Sequence, residues 1–112
     1  MATITDEYMN EMRAKTRRYT LMVLKATPAL RRPDADPIIW EHGRRNFSLR
    51  AEGQLAIVCP AEDGGELSGI GVFTGSPEEV AGLMDGDPGV KAGIFTYELH
   101  PVRGFPGDSL PG

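Results

Sequence analysis

Two side chains of this sequence could move a proton if the fold joined them. One is His42, inside a stretch with helical patterning. The other is Asp87, in the segment Asp85 to Pro101, DGDPGVKAGIFTYELHP. A carboxylate beside an imidazole fixes the ring's tautomer and raises its basicity, and the imidazole carries the proton. That unit suits proton abstraction next to a carbonyl, as in lactone isomerisation or HCl elimination. The same two residues also have plainer uses. A lone helix histidine is commonly a core residue whose N–H meets a backbone carbonyl, and an aspartate before a proline is commonly a helix cap.

Other candidates are sparser. Asn46 lies one helical turn from His42 and would make a pocket there more polar. Arg31, in a loop, and Arg45, beside Asn46, are candidate contacts for an anionic substrate, though loop arginines are commonly just solvated. Cys59 stands between Val58 and Pro60 in an apolar run, where a thiol is usually inert; facing the pocket beside His42 it would be a conceivable nucleophile. Tyr97, on the last strand, would line the cavity or pack in the dimer core. His100, before Pro101 at a strand end, reads as a surface residue. Two histidines so spaced make no metal site, and GIGVFTG matches no phosphate loop. No metal and no cofactor is expected.

The elements that must position these residues follow in order. Residues 4–18, ITDEYMNEMRAKTRR, pattern as an amphipathic helix capped by Thr5, acidic at its start and basic at its end. Its apolar face is expected to pack on the domain, with a lid or dimer arm as the alternative. Tyr19 to Lys25 is nearly continuous in apolar residues and predicts a strand covered on both faces. After a loop with two prolines, Asp36 and Pro37 open a helix that stops at Gly53. That helix has two apolar stripes. Ile38, His42, Asn46 and Leu49 share one face; Trp40, Phe47 and Ala51 lie nearly opposite, suggesting contact with its own sheet and with something else. Leu55 to Pro60 and Leu67 to Thr74 predict two strands around an Asp-Gly turn. Ser76-Pro77-Glu78-Glu79 opens a helix with a capping-box signature. Asp87-Pro88 opens a short turn of helix, Gly93 permits a left-handed exit, Ile94 to Leu99 is the last strand, and Pro101 ends it. The tail 102–112, rich in Pro and Gly, is expected to be extended.

Strand, helix, strand, hairpin, strand, helix, strand is the βαββαβ ferredoxin-like order. Its helices cover one face of the sheet, yet the strands read as apolar on both. The simplest cover for the open face is the same face of a second copy. The chain's 112 residues fit one domain. A net charge of −4 argues against nucleic acid as a partner. One cysteine excludes an intrachain disulfide and a Cys-rich zinc site. No apolar run reaches membrane-spanning length and the N-terminus is not a secretion signal, so a cytoplasmic protein is the expectation.

These residues together resemble the YCII-related (YciI-like) family. The resemblance spans residues 19–101: His42, Gly53 eleven positions on, a buried strand ending in Pro60, a Gly-rich hairpin, then DPGVKAGIFTYELHP. The last segment is its most specific part. The resemblance implies a dimeric α+β barrel and a pocket that joins His42 to Asp87. Relatives implied by it include dehalogenase-like proteins acting on chlorinated muconolactones, and muconolactone isomerases share the wider barrel. The sequence departs from the pattern at Cys59, where a Gly commonly precedes the proline, at Asn46, where an apolar residue is common, and in its additional N-terminal helix.

The expectation is therefore an α+β, ferredoxin-like domain over 19–101, flanked by a helical extension, 1–18, and a tail, 102–112. It would pair with itself through the open sheet face. Its function would be that of a cofactor-free lyase or isomerase on a small carbonyl or lactone substrate, with His42 and Asp87 catalytic and Asn46, Arg45, Arg31, Cys59 and Tyr97 as substrate contacts. The alternatives are a non-catalytic small-ligand or regulatory module and a purely structural dimer.

Overall fold

The computed structural model describes all 112 residues. Helix α1 spans Asp6–Ala14, strand β1 Arg17–Ala26, helix α2 Ala35–Ala51, β2 Leu55–Pro60, β3 Leu67–Phe73, α3 Pro77–Asp85, α4 Pro88–Lys91 and β4 Phe95–Gly104, with a 3₁₀ turn at Pro28–Arg31. The four strands form one antiparallel sheet in the order β2-β3-β1-β4. This is the α+β, ferredoxin-like architecture.

Alternation along the strands decides which side chains meet the helices. In β1, Thr20, Met22 and Leu24 are buried while Leu21 and Val23 are only half-buried. The buried set joins Leu49 of α2, Val80 and Met84 of α3, and Leu55, Phe73, Ile94 and Phe95 in one core. Phe73 is fully buried at its centre; truncating such a ring costs about 3–5 kcal/mol. On the opposite face the register aligns Leu21 and Val23 of β1 with Val72 and Ile70 of β3, and these with Ile57 and Cys59 of β2. Across β1, β2 and β3 that face is apolar, and no helix of this chain lies over its six half-buried side chains, while the β4 edge of the same face carries the exposed Glu98 and His100.

Local signals set most helix starts. Ser76 and Glu79 form a reciprocal capping box, which satisfies two otherwise orphan N–H donors. Thr5 caps α1 by accepting from Tyr8 N–H at 3.2 Å. Gly93 takes φ +75° after α4, a left-handed turn that glycine adopts without steric cost.

Several expectations need correction. Helix α1 ends at Ala14 rather than Arg18, and Arg17 and Arg18 open β1, where they pair with Gly104 and Arg103. It buries none of its residues, so it does not pack on the domain. Helix α2 starts at Ala35, ahead of the expected Asp36 cap. The residue at its N-cap, Asp34, makes no side-chain capping bond because its carboxylate is held by Arg32 Nε at 2.9 Å. Strand β2 lies at a sheet edge, and of its residues only Leu55 is fully buried, so it is less covered than expected. Strand β4 runs through Pro101 to Gly104 instead of stopping there. As an edge strand it has one side unpaired, and a proline without an N–H is tolerated there.

Candidate active site

His42 occupies the middle of α2, on the stripe facing the sheet. Asp87 is the N-cap of α4, in the turn that follows α3. The packing of α2 against α4 brings these residues, 45 apart in sequence, into direct contact: His42 Nδ1 lies 2.8 Å from Asp87 Oδ1. The aspartate is fully buried and the histidine is 8% exposed. Asp87 is not merely a cap or merely a partner, because its two oxygens divide the work. Oδ2 accepts from the N–H groups of Gly89 at 3.0 Å and Val90 at 3.2 Å, while Oδ1 faces the imidazole.

Three backbone and ring donors on one carboxylate leave it no freedom to turn. Burial pushes the Asp87 carboxyl up, but the hydrogen bond and charge of His42, the Val90 N–H and the charge of Arg45 together outweigh it. The net effect holds Asp87 below the usual carboxylate range, so it is ionised at neutral pH. An ionised Asp87 accepts only, so Nδ1 of His42 carries the proton and donates it. In the neutral ring, Nε2 is then the lone-pair atom.

What surrounds Nε2 is set by α2 and β4. Asn46, one turn further on, places Nδ2 at 3.4 Å from Nε2. The Phe95 ring lies against the imidazole, centroids 4.8 Å apart and planes tilted by 46°. Phe95 can sit there only because residue 89 is glycine: a Cβ at that position would fall 2.5 Å from Phe95 Cδ2. Gly89 has no left-handed backbone; space, not conformation, requires it. Neither Phe95 nor Gly89 was legible as a site residue, since an aromatic in a strand and a glycine in a turn both have commoner explanations.

His42 and Asn46 open onto a cavity of about 830 Å³. Its wall includes Gly43, Phe47 and Arg50 of α2, Met22, Leu24 and Phe95 of the sheet, residues 56–60 of β2, residues 68–70 of β3, and Asp108, Ser109 and Leu110 of the tail. The lining is mainly apolar, with a few polar groups near His42, as in small-molecule sites. No helix, strand or turn continues past Asp108, yet the tail returns far enough to form part of this wall.

The remaining candidates fall in different places. Arg45 is absent from the cavity wall. Its guanidinium lies against Gly86, with Nη1 buried and without a hydrogen-bond partner, and its charge acts on Asp87 from behind. Arg31 is exposed on the 3₁₀ turn, outside the cavity wall. Cys59 borders the cavity, but it pairs with Ile70, which places its side chain on the sheet face away from α2. It does not stand beside His42. Tyr97 pairs with Leu24 on the helix-covered face, so it packs under α3 rather than in a sheet-to-sheet dimer core, and it donates its hydroxyl to Asp85 Oδ1 at 2.6 Å; it is not in the cavity wall. The hydrogen bond to Asp85, with burial and the aspartate's charge, pushes the Tyr97 phenol up to about 12. His100 is exposed, 3.6 Å from Glu98. Nowhere do three or more His, Cys, Asp or Glu side chains cluster as metal ligands would, and no helix is long and apolar enough to cross a membrane.

No protein-family model matches this chain, and no curated protein matches it. Among solved structures, it is similar to the 5-chloro-2-hydroxyhydroquinone dehydrochlorinase (TftG) of Burkholderia phenoliruptrix AC1100, determined in complex with 2,5-dihydroxybenzoquinone. The TM-score is 0.52 at 18% identity, covering 73% of this chain and 90% of that one. At that identity the likeness is one of fold, and it agrees with the ferredoxin-like α+β class read from the strand order.

Proposed function

We propose that this protein is a YCII-related enzyme of lyase or isomerase type that uses His42 as its acid/base group on a small carbonyl or lactone substrate. One observation carries the reading. The Nδ1 proton of His42 is committed to a buried, fully bonded carboxylate, which leaves Nε2 as the basic atom at a cavity of small-molecule size. In this reading Nε2 removes a proton from carbon next to a carbonyl, and Asp87 stabilises the imidazolium that forms. Asn46, 3.4 Å from Nε2, turns its amide to a substrate oxygen and helps hold the developing enolate charge. His42 then returns the proton, in an isomerisation, or keeps it while a leaving group departs, in an elimination. The chemistry asks for no cofactor. Arg45 serves by keeping Asp87 ionised, and the apolar wall would hold a ring-sized substrate. The dehydrochlorinase with the same fold acts on a chlorinated hydroxyquinol, which supports elimination within the reaction class.

The apolar sheet face opposite the helices supports a homodimer packed sheet to sheet, since six half-buried aliphatic and thiol side chains there have no helix over them.

The test is a panel of small cyclic lactones and chlorinated hydroxyquinols, read by ultraviolet absorbance and by chloride release. The expected result is turnover by the parent chain, loss of about 100-fold or more in kcat for His42→Ala, and a smaller loss with an altered pH profile for Asp87→Asn. Turnover indifferent to His42→Ala overturns the assignment. Binding of panel members to the parent chain without any turnover would instead establish the alternative, a small-ligand-binding module. The contact of Asn46 Nδ2 with Nε2 favours that alternative if the amide stays there and occupies the lone pair.

A further inference from the structure

Besides the open sheet face, two helical apolar surfaces of this chain have no partner within it. The first is on α1. Tyr8 and Met12 lie one turn apart, with Ile4 just before the cap and Met9 beside them. Ile4, Tyr8 and Met9 are 54%, 47% and 53% exposed. The second is the outer stripe of α2, where Trp40 and Phe47 are 70% and 62% exposed. Between them sits Gly43, where a Cβ would meet nothing within 4 Å, so the stripe is flat between its two aromatic rings.

The chain's own α1 does not reach that stripe. Lys15 and Thr16 are its whole link to β1. Both are tied back to the helix, Lys15 N–H to Met12 and Thr16 to Arg13 through its N–H and its hydroxyl. Helix α1 therefore projects from the start of β1. The radius of gyration is 16.4 Å, where a compact chain of this length would have about 13 Å.

We propose that α1 of one copy docks on the Trp40–Phe47 stripe of α2 in a second copy. The two surfaces are similar in length: Ile4 to Met12 covers eight residue steps and Trp40 to Phe47 seven, about 12 and 10 Å at helical rise. They match in charge. Glu7 flanks the apolar stripe of α1 and Arg50 that of α2; Glu11 and Arg44 flank them too, but each is paired within its own segment, with Lys15 at 3.1 Å and with Glu41 at 3.2 Å. Arg50 already stacks on Phe47, its guanidinium 5.4 Å from the ring centroid, and could reach an incoming carboxylate without leaving the ring. An antiparallel arrangement sets the acidic first turn of α1 near Arg50 at the end of α2, and opposes the helix dipoles. Exchanged reciprocally, two such contacts form. The exposed share of the six aromatic rings, at about 150–250 Å² for a whole ring, supplies roughly 500–900 Å², and Ile4, Met9 and Met12 add to it toward the roughly 1,000 Å² of a specific interface. Gly43, Phe47 and Arg50 also line the cavity of His42, so the docked helix borders that cavity.

Trp40 is the one tryptophan of the chain, which makes the test direct. Acrylamide quenching of Trp40 is measured in the parent chain and in full-length Tyr8→Glu/Met12→Glu. Both altered side chains lie on α1, which buries no residue, so the variant keeps the core. The expected result is a blue-shifted Trp40 in the parent, quenched at least threefold less than in the variant. The variant is then refolded with an excess of full-length Trp40→Phe, which has an intact α1 and no tryptophan. Restored protection is expected, because the helix arrives from another chain. Equal quenching in parent and variant overturns the proposal. So does protection that the Trp40→Phe chain fails to restore, which would mean each chain covers its own Trp40.

Discussion

Asp87→Asn separates the two jobs of the buried carboxylate. An asparagine still presents one oxygen to the N–H groups of Gly89 and Val90, now bonded at 3.0 and 3.2 Å, so the cap of α4 survives. Its other atom becomes an amide nitrogen facing His42 Nδ1, where an oxygen stood at 2.8 Å. Two donors then confront each other unless the imidazole moves its proton to Nε2. What is lost is a buried hydrogen bond to a charged group, about 1.5–3 kcal/mol. For a domain of this size that corresponds to a fall in Tm of roughly 6–12 °C. The loss carries a pH signature. The folded-state carboxyl of Asp87 is held below the usual range, so its contribution is present above the unfolded-chain value near 3.9 and disappears as pH falls through the lower folded value. Urea unfolding of parent and variant from pH 7 down to pH 3 should therefore show a gap that narrows at the acid end. NMR of the His42 ring, assigned with His100→Gln, should show the proton moved from Nδ1 to Nε2 in the variant. A gap under about 0.5 kcal/mol, or one that stays constant down to pH 3, would refute the reasoning that ties the pair together.

Three further outcomes are expected. Gly89→Ala sets a methyl against Phe95, with nothing to yield but that ring and the turn; it should cost about 1–3 kcal/mol in urea unfolding and shift the His42 ring resonances by moving Phe95. Tyr97 should ionise near 12 by phenolate absorbance, and in Asp85→Asn the midpoint should move back toward the ordinary value. Because the raised phenol stabilises the fold below its unfolded value near 10, that contribution should be lost between roughly pH 10 and 12. Cys59, on the sheet face away from α2, should react with a thiol reagent at least tenfold more slowly in a sheet-to-sheet dimer than after dilution to monomer, as read by absorbance with sedimentation in parallel.

Much of this protein is determined locally and could be read from sequence. The capping box at Ser76, the Asp87-Pro88 start and the left-handed Gly93 each depend on residues within one turn, and each appears where its neighbours call for it. The two stripes of α2 follow from a 3.6-residue period, and the strand order follows from the sequence of apolar runs. The errors have a common source: they lie where a residue's neighbour in space is far away in the chain. Pro101 ends a strand only if both of its edges are paired, and Arg17 and Arg18 leave the helical pattern because they pair with Gly104 and Arg103 of β4. Tyr97 points to Asp85 and Cys59 to the far face of the sheet because register, fixed by pairing with β1 and β3, decides orientation. The resemblance pointed to His42 and Asp87, but the geometry of the site is decided by the tertiary structure. His42 and Asp87 are bound together by the packing of α2 on α4, Phe95 reaches the imidazole through the space left at Gly89, and the polar and apolar walls of the cavity come from seven separate segments. Local chemistry fixes which bonds a residue can make; only long-range packing chooses the partner, because that choice depends on which surfaces are excluded from water together.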